Sequence, residues 1–334
     1  MFPSILTPNS PLEQNPDLDG LDPWRDGRDH WPERYRLTHY AFPDGGFEVS
    51  VSVVDMEKAR DRDVANNYGF GKPPKAREES PDGPSEKSLA VARRRARSEV
   101  RRRCRGIGVT HLLTLTTRAK VTDFEELKKR WAVFTRLYYR ATGKRLEYIC
   151  VPERHPTNPG HMHLHAAVTS YIPVALIRRL WYIALGGKGD ERGKDTPGNV
   201  DMQQIKVQRA SRRSVRIGSY ISKYLTKSPV EEFNKKRYFC SRGAGESYQK
   251  KSYWLDANPD DPWPRSESLH GEMEARFPQI SVAKRGDYFV FEDGGRCTGL
   301  YYRYIPGDNS CVVTEVHVRF PDGSLIHVSH DPPQ

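Results

Sequence analysis

An α+β fold, with a central antiparallel sheet of about five strands backed by helices, is predicted by three observations. Between Thr110 and Ser228 short alternating stretches and longer helical stretches follow the order strand, helix, strand, strand, helix, strand, helix. The helical stretches carry apolar residues every three or four positions, enough to cover one sheet face. The strands are short and bounded by Gly, Pro and Asn, which suits antiparallel neighbours in one layer.

The elements follow in order. Residues 1–32 are rich in Pro, Asp and Asn without apolar periodicity and read as mostly flexible. Arg34 to Val54 alternates around Pro43-Asp44-Gly45-Gly46, the pattern of a β-hairpin. Residues 71–86 read as a linker. Ser85 to Arg105 is predicted as a helix, capped by Ser85 and stopped by Gly106. It holds eight arginines between Arg93 and Arg105, a density that points to phosphate contacts, with Arg93, Arg94, Arg97 and Arg101 as the candidates. Thr110 to Thr117 is a strand, and Phe124 to Ala141 a helix with a core stripe of Leu127, Trp131, Phe134, Leu137 and Tyr138. Leu146 to Val151 is a strand that leads to Pro152-Glu153-Arg154, and a loop from His155 to Gly160 precedes the next strand.

That strand, Gly160 to Val168, turns His161, His163 and His165 to one face and Met162, Leu164 and Ala166 to the other. Two imidazoles at alternate positions of an exposed sheet face are able to hold one divalent metal. Pro173 to Leu185 is a helix. The glycine-rich loop Gly186 to Asn199 fails the phosphate-loop pattern, with Lys188 where the first Gly belongs and Asp195 in place of Ser or Thr. Val200 to Gln208 is a strand, and Arg212 to Ser228 a helix ended by Pro229. Beyond it, Lys235-Lys236-Arg237-Tyr238-Phe239 reads as a basic turn or a further DNA contact. Residues 285–328 alternate as strands and are expected to form an appended sheet with the N-terminal hairpin. Three regions result: 1–85, partly disordered with a hairpin at about 34–54; 86–229, the sheet-and-helix domain; and 230–334, a β-rich region without an assigned role.

Composition narrows the function. The chain of 334 residues has a net charge of +11, unevenly spread. Residues 1–66 hold 7 Lys/Arg against 13 Asp/Glu, whereas residues 87–130 hold 14 against 4. A basic middle behind an acidic front suits a polyanionic partner, most simply nucleic acid. No stretch approaches the ~20 apolar residues that span a bilayer, and no basic, apolar leader opens the chain, so a cytoplasmic protein without a membrane partner is expected. Five scattered cysteines without a C-x-x-C pair suit a reducing compartment.

Chemistry gathers on the last helix. Tyr220, Lys223, Tyr224 and Lys227 follow the i, i+3, i+4, i+7 spacing of one stripe, and Ile217, Ile221 and Leu225 form an apolar stripe beside it. A phenol is a poor nucleophile at neutral pH because its pKa is about 10. Neighbouring lysines favour the phenolate, and a metal on a phosphate oxygen draws electrons from phosphorus. Attack of tyrosine on a phosphodiester would leave a 5′-phosphotyrosine and a free 3′-hydroxyl, conserving the bond for rejoining.

These stretches resemble the HUH endonucleases (His–hydrophobic–His), specifically the rolling-circle replication initiators of small single-stranded DNA phages and plasmids. Leu112-Leu113-Thr114-Leu115-Thr116 is similar to the first motif, and Gly160-His161-Met162-His163-Leu164-His165 to G-x-x-H-U-H. Tyr220 to Lys227 is similar to the two-tyrosine form Y-x-x-K-Y-x-x-K. The resemblance implies an RRM-like core with the metal and the tyrosine helix on one sheet face, and His163 and His165 as metal ligands. It implies an acidic third ligand upstream, for which Glu153 has the right place, and Mg2+ or Mn2+ as cofactor. His161 leaves a pairing of His161 with His163 open, and either Tyr220 or Tyr224 is able to attack first. The substrate implied is single-stranded or hairpin origin DNA, with a host helicase and polymerase as partners because the chain has no helicase signature. The competing reading is a non-catalytic nucleic-acid binder on the same kind of sheet.

Overall fold

The computed structural model describes residues 33–55, 86–154, 161–207, 210–227, 238–255, 271, 273–277, 289–293, 296–305, 315–319 and 325–329. The predictions for residues 1–32, the linker up to 85, the loop 155–160 and Lys235-Lys236-Arg237 lie outside them, as does the side chain of Lys227. The chain divides into two compact units, residues 79–248 and residues 1–78 with 249–334.

The first unit contains helix α1 (Glu86–Gly106), strand β3 (His111–Leu115), helix α2 (Phe124–Thr142), strands β4 (Tyr148–Arg154) and β5 (Met162–Val168), helix α3 (Val174–Ala184), strand β6 (Val200–Gln204), helix α4 (Ala210–Lys227) and strand β7 (Phe239–Cys240). Its sheet has the order β6-β3-β5-β4-β7 and is antiparallel throughout. The fold class is therefore the one the sequence predicts.

Helices cover both faces. On one, Phe124, Leu127, Trp131 and Phe134 of α2 and Ile177 and Trp181 of α3 pack on Leu113, Leu115, Leu164 and Ala166. Helix α2 is set by its ends: Asp123 accepts a hydrogen bond from the Glu125 N–H at the start, and Gly143, at φ 68°, donates its own N–H to the Tyr139 carbonyl at the stop. Both are the expected caps for orphan helix-end groups. On the other face Val100 and Cys104 of α1 and Ile217, Ile221 and Leu225 of α4 enclose Leu112, Ile149, Val151 and Ala167. Helices α1 and α4 approach closely at Gly218. A Cβ there would stand 3.0 Å from the Cβ of Cys104 and 3.2 Å from the Cα of Arg101, so the absence of a side chain permits the crossing.

Two strands differ from their predicted bounds. β4 continues through Pro152 and Glu153 to Arg154 rather than ending at Val151. Proline is tolerated because β7 pairs only with Ile149 and Cys150, leaving β4 as an edge at Pro152, where its missing N–H costs no ladder bond. β6 stops at Gln204 instead of Gln208 because its partner β3 begins at His111, opposite Gln204.

In the second unit β1 (Glu33–Ala41) and β2 (Phe47–Asp55) form the predicted hairpin. Its turn has Gly45 at φ 78° and Asp44 accepting from the Gly46 N–H at 2.8 Å. With β8 (Gln249–Trp254), β9 (Phe289–Asp293) and β10 (Arg296–Tyr304) it makes a sheet of order β8-β1-β2-β10-β9. A separate hairpin pairs β11 (Glu315–Arg319) with β12 (Leu325–Ser329). The five-stranded core contains Tyr35, Leu37, Val49, Val51, Leu300 and Tyr302. On the other side of that sheet Arg303 donates to Glu48 at 3.2 Å, both side chains being buried.

His39 makes this sheet acid-sensitive. Its imidazole packs against Phe47 and Phe277, and burial, with a smaller contribution from Lys251, lowers its pKa to about 4. Above the unfolded value of about 6.5 the group is neutral in both states. Between there and about 4 the unfolded chain takes up a proton that the folded sheet refuses, so stability falls by about 3 kcal/mol and then levels off. Hydrogen exchange of the β1 amides at pH 7 and 4.5 is expected to register this loss in the wild-type protein and most of it to vanish in His39→Leu.

Candidate active site

The site is built on the sheet face covered by α1 and α4. Alternation along β5 sends Leu164 and Ala166 into the core under α2 and α3 and His165 to the opposite face. In register His165 stands between Thr114 of β3 and Val151 of β4, while Glu153 stands directly opposite His163. The Glu153 carboxylate reaches diagonally past its partner to His165, with 2.9 Å between Oε2 and the imidazole Nε2. Both side chains are buried, 7% exposed for His165 and 10% for Glu153, so this bond is made in a poorly solvated place where it is stronger than at a surface. With Nε2–H donating to the carboxylate, Nδ1 accepts from the Thr114 hydroxyl at 3.2 Å, a tautomer assigned from the hydrogen-bond network.

Helix α4 closes over this pair. The ring of Tyr224 lies flat on the His165 imidazole, with centroids 3.8 Å apart and planes within 1° of parallel. Its hydroxyl donates to the Tyr220 oxygen at 2.8 Å, and the two phenol rings meet edge to face at 5.5 Å. One connected set therefore runs from Thr114 and Glu153 through His165 and Tyr224 to Tyr220.

The predicted single stripe of two tyrosines and two lysines is split by the structure. Tyr220 is 43% exposed whereas Tyr224 is 9% exposed and belongs to the core of Ile217, Ile221 and Leu225. Each four-residue step along a helix turns about 40° beyond a full revolution, which carries Tyr224 from the solvent row of Tyr220 toward the anchoring row. Lys223 is exposed. Burial pushes the Tyr224 phenol well above its ordinary value, and its bond to Tyr220 and the Glu153 charge act in the same direction.

Of the three predicted metal ligands the structure brings Glu153 and His165 together. His163 is half-buried, with its ring 5.9 Å from that of His161, and among the described residues no three His, Cys, Asp or Glu side chains converge as a metal-holding group. The diagonal lean of Glu153 is the reason, since it turns the carboxylate from His163 toward His165. The donor chemistry nevertheless suits a hard divalent ion. Two ligands about 2.1 Å from one octahedral cation, at right angles, stand about 3 Å apart, close to the Glu153–His165 separation.

The arginine helix divides its labour. Arg103 is held by Glu99 at 2.7 Å, which also accepts from the Tyr248 hydroxyl, and Arg105 is only 3% exposed. Arg93, Arg94, Arg97 and Arg101 are half-exposed, and the buried Nε of Arg93 has no hydrogen-bond partner among the described residues. Thr114 and the stacking role of Tyr224 were not singled out from sequence. The signal for Thr114 was its place in the apolar run Leu112 to Leu115, where a lone hydroxyl faces the histidine side.

Residues 110–229 match a family model described as a replication-associated protein of the ORF2 type. No curated protein and no solved structure matches the chain. The matched segment begins beside β3 and ends just past α4, so it contains the imidazole strand and the tyrosine helix and supports a replication-initiator role.

Proposed function

Taking residues 110–229 as a replication-associated domain of the rolling-circle type, we propose that the protein initiates replication by nicking single-stranded or hairpin origin DNA and later rejoining it. The reading rests above all on one observation: the exposed Tyr220 phenol is hydrogen-bonded to a tyrosine that stacks on the Glu153-bound imidazole. Tyr220 acts first, because its oxygen meets solvent while the Tyr224 ring is held beneath it. The Tyr220 oxygen attacks phosphorus, the bond to the 3′ oxygen breaks, and that oxygen leaves with a proton as the 3′-hydroxyl. The proton of Tyr220 passes to solvent. The hydrogen bond from Tyr224 and the positive charge of Lys223 on the exposed face favour the developing phenolate, and Lys227 extends that charge.

Glu153, His165 and His163 would hold a divalent cation, Mg2+ or Mn2+, which supplies charge neutralisation at a non-bridging phosphate oxygen. Arg93, Arg94, Arg97 and Arg101 follow the phosphate backbone. Strand separation and synthesis fall to a host helicase and polymerase.

Incubation with single-stranded origin DNA and Mn2+ is expected to give an SDS-resistant protein–DNA adduct that EDTA abolishes and a scrambled DNA sequence diminishes. DNA that binds without any adduct would instead mark a non-catalytic nucleic-acid binder.

A further inference from the structure

The exposed face of α4 carries more than the nucleophile. Arg216 lies one turn before Tyr220 and Arg212 one turn before that, while Lys223 follows Tyr220 by slightly less than a turn. Arg216, Tyr220 and Lys223 are all exposed and Arg212 is half-exposed, whereas Ser214, Ile217, Gly218, Ile221 and Leu225 between them are buried. At 100° per residue Arg212, Arg216, Tyr220 and Lys223 fall within one stripe about 80° wide. Steps of four residues rise about 6 Å along the helix, comparable with the separation of successive phosphates on an extended single strand.

Arg216 is also held in place. One of its Nη1–H groups donates to the Lys206 carbonyl at 3.5 Å, which brings the exposed Lys206 alongside and leaves the rest of the guanidinium fork for an external acceptor. A fork rather than a point charge is the residue type suited to gripping phosphate oxygens in pairs.

Resting on the nicking reading, we propose that Arg216 and Arg212 hold the first and second phosphates on one side of the scissile phosphodiester, with α4 itself as the track for the strand. Lys223 faces the other side. The two flanks are then gripped unequally, by paired arginine donors on one and by a single ammonium on the other. Single-stranded DNA is the ligand this arrangement fits, because only a strand free of its complement is able to lie along the helix with its phosphates inward.

The test combines arginine variants with a walk of neutral methylphosphonates, one at a time, through three phosphates on either side of the nick. Arg216→Gln and Arg212→Gln are each expected to weaken binding of wild-type-sequence DNA about tenfold and to reduce the slope of log affinity against log salt by about 0.7. In the wild-type protein a methylphosphonate next to the nick on one flank costs a similar factor, and in Arg216→Gln that particular cost disappears. The second phosphate on the same flank behaves likewise with Arg212→Gln. Adduct formed at saturating DNA reports that each variant is folded and keeps its nucleophile. Equal methylphosphonate penalties in wild type and variants, or an unchanged salt slope, overturn the track. A wild-type protein that makes no adduct yet shows the paired loss overturns the nicking reading and leaves the track standing.

Discussion

Tyr220→Phe is expected to reduce formation of the covalent DNA adduct to background, whereas Tyr224→Phe retains it. The asymmetry follows from the environments of the two rings. Removing the Tyr220 oxygen deletes the one phenol that faces solvent over the site, and Tyr224 has no path to a phosphate while its ring lies on His165. Tyr224→Phe keeps the stacked ring and loses only the 2.8 Å hydrogen bond to Tyr220. A bond of this kind contributes roughly 1 kcal/mol, so single-turnover nicking should slow about fivefold to tenfold. Tyr224→Ala also removes the ring that packs on the imidazole, and it should slow nicking well beyond the Phe variant while lowering stability by about 3 kcal/mol through the cavity it leaves. Rapid-quench assays with short oligonucleotides separate these effects. Nearly equal losses in the two Phe variants would contradict the division drawn between the rings, and full activity in Tyr220→Phe would exclude Tyr220 as nucleophile.

The second large effect is expected at Glu153. Glu153→Gln keeps the shape of the side chain and a hydrogen bond to His165, yet withdraws the negative charge. If Glu153 and His165 hold the cation, the Mn2+ concentration that gives half-maximal nicking should rise about 100-fold or more, with DNA binding in EDTA unchanged. Folding stability should fall by only about 1–2 kcal/mol, because the amide still bonds to the imidazole. A shift in stability without a shift in metal requirement would assign the pair a purely structural role.

Much of the central sheet was legible because the apolar periodicities of Leu112 to Leu115, Phe124 to Tyr138 and Met162 to Val168 are each unambiguous. The anchoring row Ile217, Ile221 and Leu225 also predicted which side of α4 meets the sheet. What was not legible depends on partners distant in sequence. Proline at 152 reads as a strand end, and only the shortness of β7 explains why the ladder continues to Glu153. That extension turns Glu153 from a loop carboxylate into a buried one. The fifth strand, Phe239–Cys240, is two residues long and leaves no periodic signal at all.

Helix spacing likewise grouped Tyr220 with Tyr224, since residues four apart share a face. The remaining rotation of about 40° decides which phenol is buried, and that depends on how α4 is seated by Gly218 against Cys104 and Arg101. The sheet that joins β1 and β2 to β8, β9 and β10 had one local signal, the hairpin around Asp44 and Gly45. Its cross-strand pair of Glu48 and Arg303 is separated by most of the chain, beyond the reach of any local pattern.

The most direct measurement is mass spectrometry of the peptide left attached to DNA after nicking with Mn2+ and proteolysis. The account predicts a nucleotide 5′-phosphate on the Tyr220 oxygen, in the peptide between Arg216 and Lys223. A phosphotyrosine on a residue outside α4, or a nick that leaves no protein attached, would contradict it.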